Sequence, residues 1–303
     1  MQINSCPGCQ GNEYSFSGLI GSSIDTIVKD EIFHQPEYRI KLCNNCGLYY
    51  KSNIAEETTL NRYYEKTDPL KWDHNSVFPT EKAIIKVLLK LAKGSKILDF
   101  GCGAGSLLSY LTKQYDCYGI EINEIAAKVA ISRGVKIMND DELKSISRMF
   151  DAIVLCDVFE HLTNPTETLK YLKRFLKKDG IILISTGNGD AKACKNDIAN
   201  FWYLRTIEHV CMFTKKYAKF LESELDFDML SWSTMCHYDL GIVDKFSQYA
   251  KNYSYWQFNN KDNIFTKSLL RLIPFLRRAE KWASPPPFVA SEDHVLCVFK
   301  IKK

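Results

Sequence analysis

The chain has 303 residues, 46% of them hydrophobic, which is enough for one large or two modest domains with a full core. Its formal charge of +4 is small and spread along the sequence, which argues against nucleic-acid partners, since these call for a concentrated basic face. No apolar run approaches the roughly 18 residues that span a bilayer, and no apolar export segment leads the chain. With eleven cysteines, an odd count, scattered through core-like segments, the expectation is a reducing, cytoplasmic setting.

In chain order, the first signal is Cys6-Pro-Gly-Cys9 followed by Cys43-Asn-Asn-Cys46-Gly47. Two Cys-x-x-Cys knuckles present four thiolates in the number and spacing that tetrahedral zinc prefers, whereas a redox Cys-x-x-Cys comes singly inside a β-α-β unit. Residues 1–50 therefore read as a small zinc module, held by a structural ion because protein supplies all four ligands. His34 lies between the knuckles and reads as a surface residue. Residues 51–77, with the Tyr63-Tyr64 pair and Trp72, form a bridge in which Asp68-Pro69 and Phe78-Pro79 interrupt helix continuity.

From residue 78 the pattern changes to strands alternating with helices. Ile97-Leu98-Asp99-Phe100 runs into Gly101-Cys102-Gly103-Ala104-Gly105 and then the helical Ser106–Thr112. Glycines at alternate positions allow positive φ and let a ligand lie against the main chain. A dinucleotide fold wants glycine where Ser106 stands, and Asp99 would repel a phosphate while suiting a ligand with an amino group. A second strand, Tyr115–Glu121, ends in an acid twenty positions after Gly101, where carboxylates accept from ribose hydroxyls. A helix over Asn123–Arg133, a strand over Val135–Met138 and the acids Asp140 and Asp141 follow. The fourth strand, Phe150–Cys156, ends in Asp157-Val-Phe-Glu160-His161. Asn164-Pro165-Thr166-Glu167 reads as an N-cap, a first-turn proline and a capping acid; that helix is expected to run to Lys177-Lys178 and stop at Gly180, ahead of a fifth strand at Ile181–Ser185.

The spacing Asp99-x-Gly101-x-Gly103-x-Gly105, with Glu121 beyond it, resembles motif I of class I S-adenosylmethionine-dependent methyltransferases. The resemblance spans residues 78–303 and implies an α/β, doubly wound, seven-stranded, mostly parallel Rossmann-like sheet with an antiparallel last strand. S-adenosylmethionine would then lie against Asp99, Gly101, Cys102, Gly103 and Gly105, with Glu121 on the ribose, Asp140 or Asp141 at the adenine amino group, and Asp157 at the end of the fourth strand. Residues 1–50 resemble zinc ribbons in front of bacterial methyltransferases acting on sugar-nucleotides or surface-glycan precursors, in which the ribbon helps form the acceptor pocket.

The acceptor side follows the fifth strand. Asn200-Phe-Trp-Tyr203 precedes Glu208-His209, Thr214 can cap a helix over Lys215–Glu224, and strands near Phe227–Met235 and at His294–Ile301 are expected to pair antiparallel. Methyl transfer needs an in-line acceptor, and a hydroxyl must lose its proton, so a histidine with a pKa near neutrality suits the task. His209 beside Glu208 and His161 beside Glu160 are the candidates; the alternative is that both order the loop backbone. Asp157-x-x-Glu160-His161 is similar to the acid-x-x-Glu-His pattern of quinone O-methyltransferases, which can hold a divalent metal, with Asp in place of the usual Glu. An insertion at about 237–290 contains a basic amphipathic stretch, 264–282, kinked at Pro274, which reads as a lid or as a peripheral membrane contact. Methylation of a small sugar-nucleotide or glycan precursor is the leading expectation. Methylation of a quinone or lipid-linked acceptor, and binding of S-adenosylmethionine without transfer, are the alternatives.

Overall fold

A computed structural model describes residues 1–16, 24–68, 70, 77–199, 201–259, 264–282 and 285–302. Pro69 and Trp72 of the bridge, and Asn200, lie outside the described residues. The N-terminal part carries five short strands, β1 (Tyr14–Phe16), β2 (Ile24–Val28), β3 (Glu31–Gln35), β4 (Ile40–Cys43) and β5 (Tyr49–Lys51). β2 and β3 form an antiparallel ribbon that leaves His34 on its exposed face. The bridge is partly helical: α1 (Glu57–Lys66) carries Tyr63 and Tyr64, and α2 (Pro79–Leu88) starts at a proline in its first turn.

The larger part of the chain is built on a sheet of β6 (Lys96–Phe100), β7 (Asp116–Ile120), β8 (Lys136–Ile137), β9 (Phe150–Cys156), β10 (Leu176–Gly187), β12 (Phe227–Met235) and β13 (His294–Ile301), ordered β12-β13-β10-β9-β6-β7-β8. β6 to β10 pair in parallel, and β13 inserts antiparallel between β10 and β12. Both faces are buried, as crossover helices require. Along β9, Ile153 and Leu155 enter one apolar cluster with Phe159 and Phe299, while Ala152 and Val154 enter the other with Ile84 and Leu108. The doubly wound sheet, with its antiparallel last strand, is the fold that the motif spacing implied.

Three local expectations change. The helix after the glycine loop, α3 (Ser106–Ser109), is a single turn. The helix after Asn164, α6 (Pro165–Lys173), ends early because Leu176 already pairs with Phe150 on β9. The register shift before Ile181 ejects the Lys177–Gly180 stretch as a bulge, so Gly180 lies within β10 and is not a helix stop. Asn164 makes no side-chain cap, whereas Asn123 caps α4 (Glu124–Ser132) by accepting from Ile125 and Ala126, and Asn139 caps α5 (Asp140–Lys144). Thr214 caps its helix, here named α8 (Lys215–Glu224), through the Tyr217 amide at 3.0 Å; a short helix, α7 (Lys192–Asn196), precedes it.

The two parts of the chain share a sheet. β11 (Cys211–Met212), immediately after His209, pairs antiparallel with β5, making a four-stranded sheet ordered β1-β4-β5-β11. The insertion folds as α9 (Ile242–Asn259), α10 (Ile264–Arg271) and α11 (Pro274–Arg277), with the break at Pro274 where the sequence placed a kink. Its outer side exposes Ile242, Val243, Phe246, Ile264, Phe265 and Leu272.

Candidate active site

The carboxyl ends of the parallel strands open into a cleft of about 410 Å³. Its floor is the loop after β6. The Gly101 and Cys102 amides both donate to the Ile120 carbonyl, at 2.9 and 3.0 Å, which ties the loop to β7. Gly101, Gly103 and Gly105 all have positive φ, the left-handed region that glycine enters without strain. A Cβ at Gly101 would sit 2.6 Å from Val158, and one at Gly105 would meet Ala130, whereas one at Gly103 would project into open space. Gly103 is thus the point where a ligand can lie on bare backbone. Glu121, at the end of β7, accepts from the Gly103 amide at 2.9 Å and the Asn123 amide at 2.7 Å.

Asp99 lies beneath this loop, 2% exposed, and its Oδ1 has no hydrogen-bond partner. Burial, reinforced by the negative charges of Glu81, Glu121 and Asp157, pushes its carboxyl up to about 8. An orphaned buried carboxyl oxygen beside a glycine cradle fits a ligand that brings a cation or an N–H donor, which is what S-adenosylmethionine carries.

Asp140 and Asp141 stand elsewhere. They open α5, where Asp140 pairs with Lys144 and accepts from Tyr171 Oη, and Asp141 is almost fully exposed near Lys144. Neither lines the cleft. The helix macrodipole and Lys144 account for acids at that position without a ligand, so the adenine-side assignment is corrected.

The wall of the cleft opposite the glycine loop brings together several segments. Glu160, 1% exposed, accepts from Thr186 Oγ1 at 2.8 Å and from Tyr203 Oη. Burial together with the Glu160 charge raises the Tyr203 phenol well above its ordinary value, so it remains a donor. His161 Nδ1 lies 2.9 Å from Tyr64 Oη and 3.2 Å from the Glu208 carbonyl. The His161 and His209 rings meet edge-on at 4.8 Å, and the His209 ring lies against Tyr203 at 4.3 Å. His209 Nδ1 faces the Tyr203 carbonyl at 2.5 Å. A carbonyl only accepts, which places the proton on Nδ1 and leaves the Nε2 lone pair available. Burial, and then the neighbouring His161, hold His209 well below the ordinary imidazole value, so the ring is neutral at physiological pH. Glu160, His161 and His209 each place one ligand-capable atom within 4.8 Å of the others.

Sequence reasoning named Asp157 but missed the two histidines that gather beside it, His237 and His294. Asp157 has a left-handed φ of 53° and lies, through Oδ1, 3.6 Å from His294 Nε2. His294 Nδ1 lies 3.2 Å from Asp293 Oδ1, and the His237 ring lies 4.3 Å from the His294 ring. Burial alone would lower His294, but Asp293 and Asp157 outweigh it and raise its pKa; burial lifts Asp157 to about 7 even though His294 opposes the shift. A signal was available: an antiparallel strand starts where its parallel neighbours end, so its first residue, His294 opposite Gly187, sits at the ligand edge of the sheet.

The cysteines converge as expected. Cys6 Sγ lies 3.5 Å from Cys46 Sγ, and Cys9 Sγ lies 3.5 Å from Cys43 Sγ. A tetrahedral zinc with arms of about 2.3 Å separates its sulfurs by roughly 3.8 Å, so the donor set fits. The Gly8 amide donates to Cys6 Sγ and the Cys46 amide to Cys43 Sγ, shaping the knuckles. Gly47 takes φ +82° in the turn that returns to β5.

With the loop, the acids and the sheet order in place, the class is defined. Residues 76–231, just over half of the chain, match the methyltransferase domain family; the chain belongs to it and is a class I S-adenosylmethionine-dependent methyltransferase. Among curated relatives, a ubiquinone biosynthesis O-methyltransferase of Actinobacillus pleuropneumoniae serotype 7 is 25% identical over 206 residues, covering 61% of this chain and 86% of that protein. One from Rickettsia canadensis is 32% identical over 145 residues, covering 45% and 60%. Among solved structures, the Haemonchus contortus phosphoethanolamine N-methyltransferase 2 in complex with S-adenosyl-L-methionine superposes with a TM-score of 0.51 at 15% identity, covering 84% of this chain and 61% of that one, a likeness of fold.

Proposed function

We propose that the chain methylates a hydroxyl on an uncharged, flat acceptor of the phenolic, quinone-precursor kind. The observation that carries this reading is the character of the cleft. Tyr64, Phe78, Trp202, Tyr203 and Tyr238 line it together with seven acidic residues, and no lysine or arginine is among the described residues that line it. A sugar-nucleotide would bring a diphosphate with no cation to meet it, at a large desolvation cost. That balance supports the phenolic acceptor over the sugar-nucleotide, and the names of the relatives agree with it.

S-adenosylmethionine, when bound, supplies an electrophilic methyl on a sulfonium. The glycine loop, Asp99 and Glu121 hold it at the ends of β6 and β7. Tyr203 and the aromatic wall orient the acceptor ring. His209 Nε2 accepts the hydroxyl proton, its tautomer fixed by the Tyr203 carbonyl; because burial weakens this base, positioning of the acceptor supplies most of the rate. Glu160, held by Thr186 and Tyr203, keeps that tyrosine in place. The four cysteines hold a structural zinc with no open coordination position, so it supplies folding energy and no chemistry. Exposed apolar side chains and cations on the insertion support contact with an anionic membrane surface, where lipid-linked phenols reside; unchanged flotation with and without anionic vesicles would remove that part of the reading.

The test is S-adenosylhomocysteine release across phenolic and sugar-nucleotide acceptors, with His209→Gln in parallel. Turnover on phenols, lost in His209→Gln with cofactor affinity intact, is expected. Turnover on sugar-nucleotides alone, or an unaffected His209→Gln, would overturn it.

A further inference from the structure

Glu160, His161 and His209 form one cluster of donors, and the Tyr203 ring, 4.3 Å from His209, lies 5.3 Å from the His294 ring of a second. From the geometry we infer that Asp157, His237 and His294 form a binding site for a divalent cation in the acceptor half of the cleft. The three residues come from separate elements: Asp157 follows β9, His237 follows β12, and His294 opens β13. Each offers one ligand atom, and all three atoms lie within 4.8 Å of one another. Two imidazoles and one carboxylate make a facial donor set of borderline softness, which takes Mn²⁺, Fe²⁺, Co²⁺ or Zn²⁺ and leaves positions open for acceptor oxygens or water.

The surroundings agree with this. Asp293 Oδ1 stands 3.2 Å from His294 Nδ1 as a charge contact short of a formed hydrogen bond, and His294 Nε2, 3.6 Å from Asp157, is the nitrogen that faces the site. A carboxylate behind a ligating histidine is the usual outer-shell partner. The same Asp293 oxygen also accepts from the His237 backbone amide at 3.0 Å, so one carboxylate fastens both histidine-bearing segments. Asp157 Oδ1 is buried with no hydrogen-bond partner, and its backbone is held at positive φ, a conformation that persists where surrounding structure enforces it. The cleft lining holds seven acids and, among the described residues, no lysine or arginine, so its donor set favours a cation over an anion.

This site differs from the Glu160–His161–His209 trio, with which it shares no residue. It rests on the proposed acceptor reading only for the assignment of the open positions to acceptor oxygens.

Cobalt titration of the full chain tests it. Cobalt at the four cysteines shows intense thiolate charge-transfer bands, whereas cobalt at imidazole and carboxylate shows only weak d–d bands. The expected result is a second equivalent of the weak kind, with affinity reduced at least about tenfold in His237→Gln and in Asp157→Asn and unchanged in His161→Gln. His237→Gln keeps the test open where the buried His294 position does not tolerate change. Absence of any cobalt beyond the thiolate site would overturn the inference, as would its loss in His161→Gln and not in His237→Gln. S-adenosylhomocysteine release on the phenolic panel, by the chain with its thiolate site filled, separates the two readings: turnover without a second cobalt site leaves the function standing and this site refuted.

Discussion

Asp99 makes the cofactor site a proton-linked one. With its carboxyl pushed up to about 8 by burial and three neighbouring carboxylates, only about a tenth of the unliganded protein carries it ionised at pH 7, and about a hundredth at pH 6. A cofactor whose sulfonium and ammonium groups favour the carboxylate binds that minor form, so its apparent Kd is weakened roughly 11-fold at pH 7 and 100-fold at pH 6. Affinity should therefore strengthen roughly 50-fold from pH 6 to pH 8 and then level off, with close to one proton released per cofactor bound at pH 7. Calorimetry in buffers of different ionisation enthalpy reads both quantities. Asp99→Asn should abolish the proton release and flatten the profile, and it should bind more weakly than the wild type at pH 9. The folding linkage runs the same way. A folded pKa above the unfolded value near 4 contributes stability that is fully present below pH 4 and is lost as pH rises through 8. Asp99→Asn should then stabilise the unliganded protein more at pH 8 than at pH 5, by a few kcal/mol. A pH-independent Kd with no proton release would refute the reasoning.

The glycine loop separates packing from ligand contact. Gly101→Ala places a Cβ 2.6 Å from Val158 at φ +82°, combining a clash with backbone strain, and should lower Tm by several degrees, whereas Gly103→Ala, at φ +53° with nothing within 4 Å, meets backbone strain alone and should lower Tm less while weakening cofactor binding about tenfold or more; equal Tm losses would remove the distinction. Cys43→Ser should abolish stoichiometric zinc, lower Tm and raise the acceptor KM more than the cofactor Kd, because β5 supports β11 next to His209; metal analysis and kinetics on one preparation check it.

The cofactor half of the site was legible because its chemistry is local. Asp99, the three glycines and Glu121 lie within a single β-α-β unit whose spacing sets their geometry, and the strands Phe150–Cys156 and His294–Ile301 follow from apolar runs between turns. The acceptor half depends on distant contacts. Tyr203, His237 and His294 meet only because β13 inserts between β10 and β12, and no spacing along the chain encodes that. Asp140 and Asp141 misled for a related reason: acids at a strand end satisfy a helix N-terminus as well as a ligand, and Lys144 and Tyr171 decided between the two. The end of α6 was overrun because Lys177, Lys178 and Gly180 suit a helix terminus and a bulge equally well, until the pairing of Leu176 with Phe150 chooses.

The shared sheet also bears on how such a chain could be re-engineered. The Lys51 amide donates to the Val210 carbonyl at 3.0 Å, and the Val210 amide donates to the Glu160 carbonyl at 2.8 Å, so the residue after His209 is held between two backbone rails that lie far apart in the sequence. Exchanging the first fifty residues for those of a homologue would replace one rail and shift the register of the other. Deleting them would leave β11 as an open edge able to pair with another chain. A chimera that respects the apparent boundary near residue 50 would therefore cut through the shared sheet, and on the acceptor reading proposed above the two segments would have to be exchanged as a matched pair.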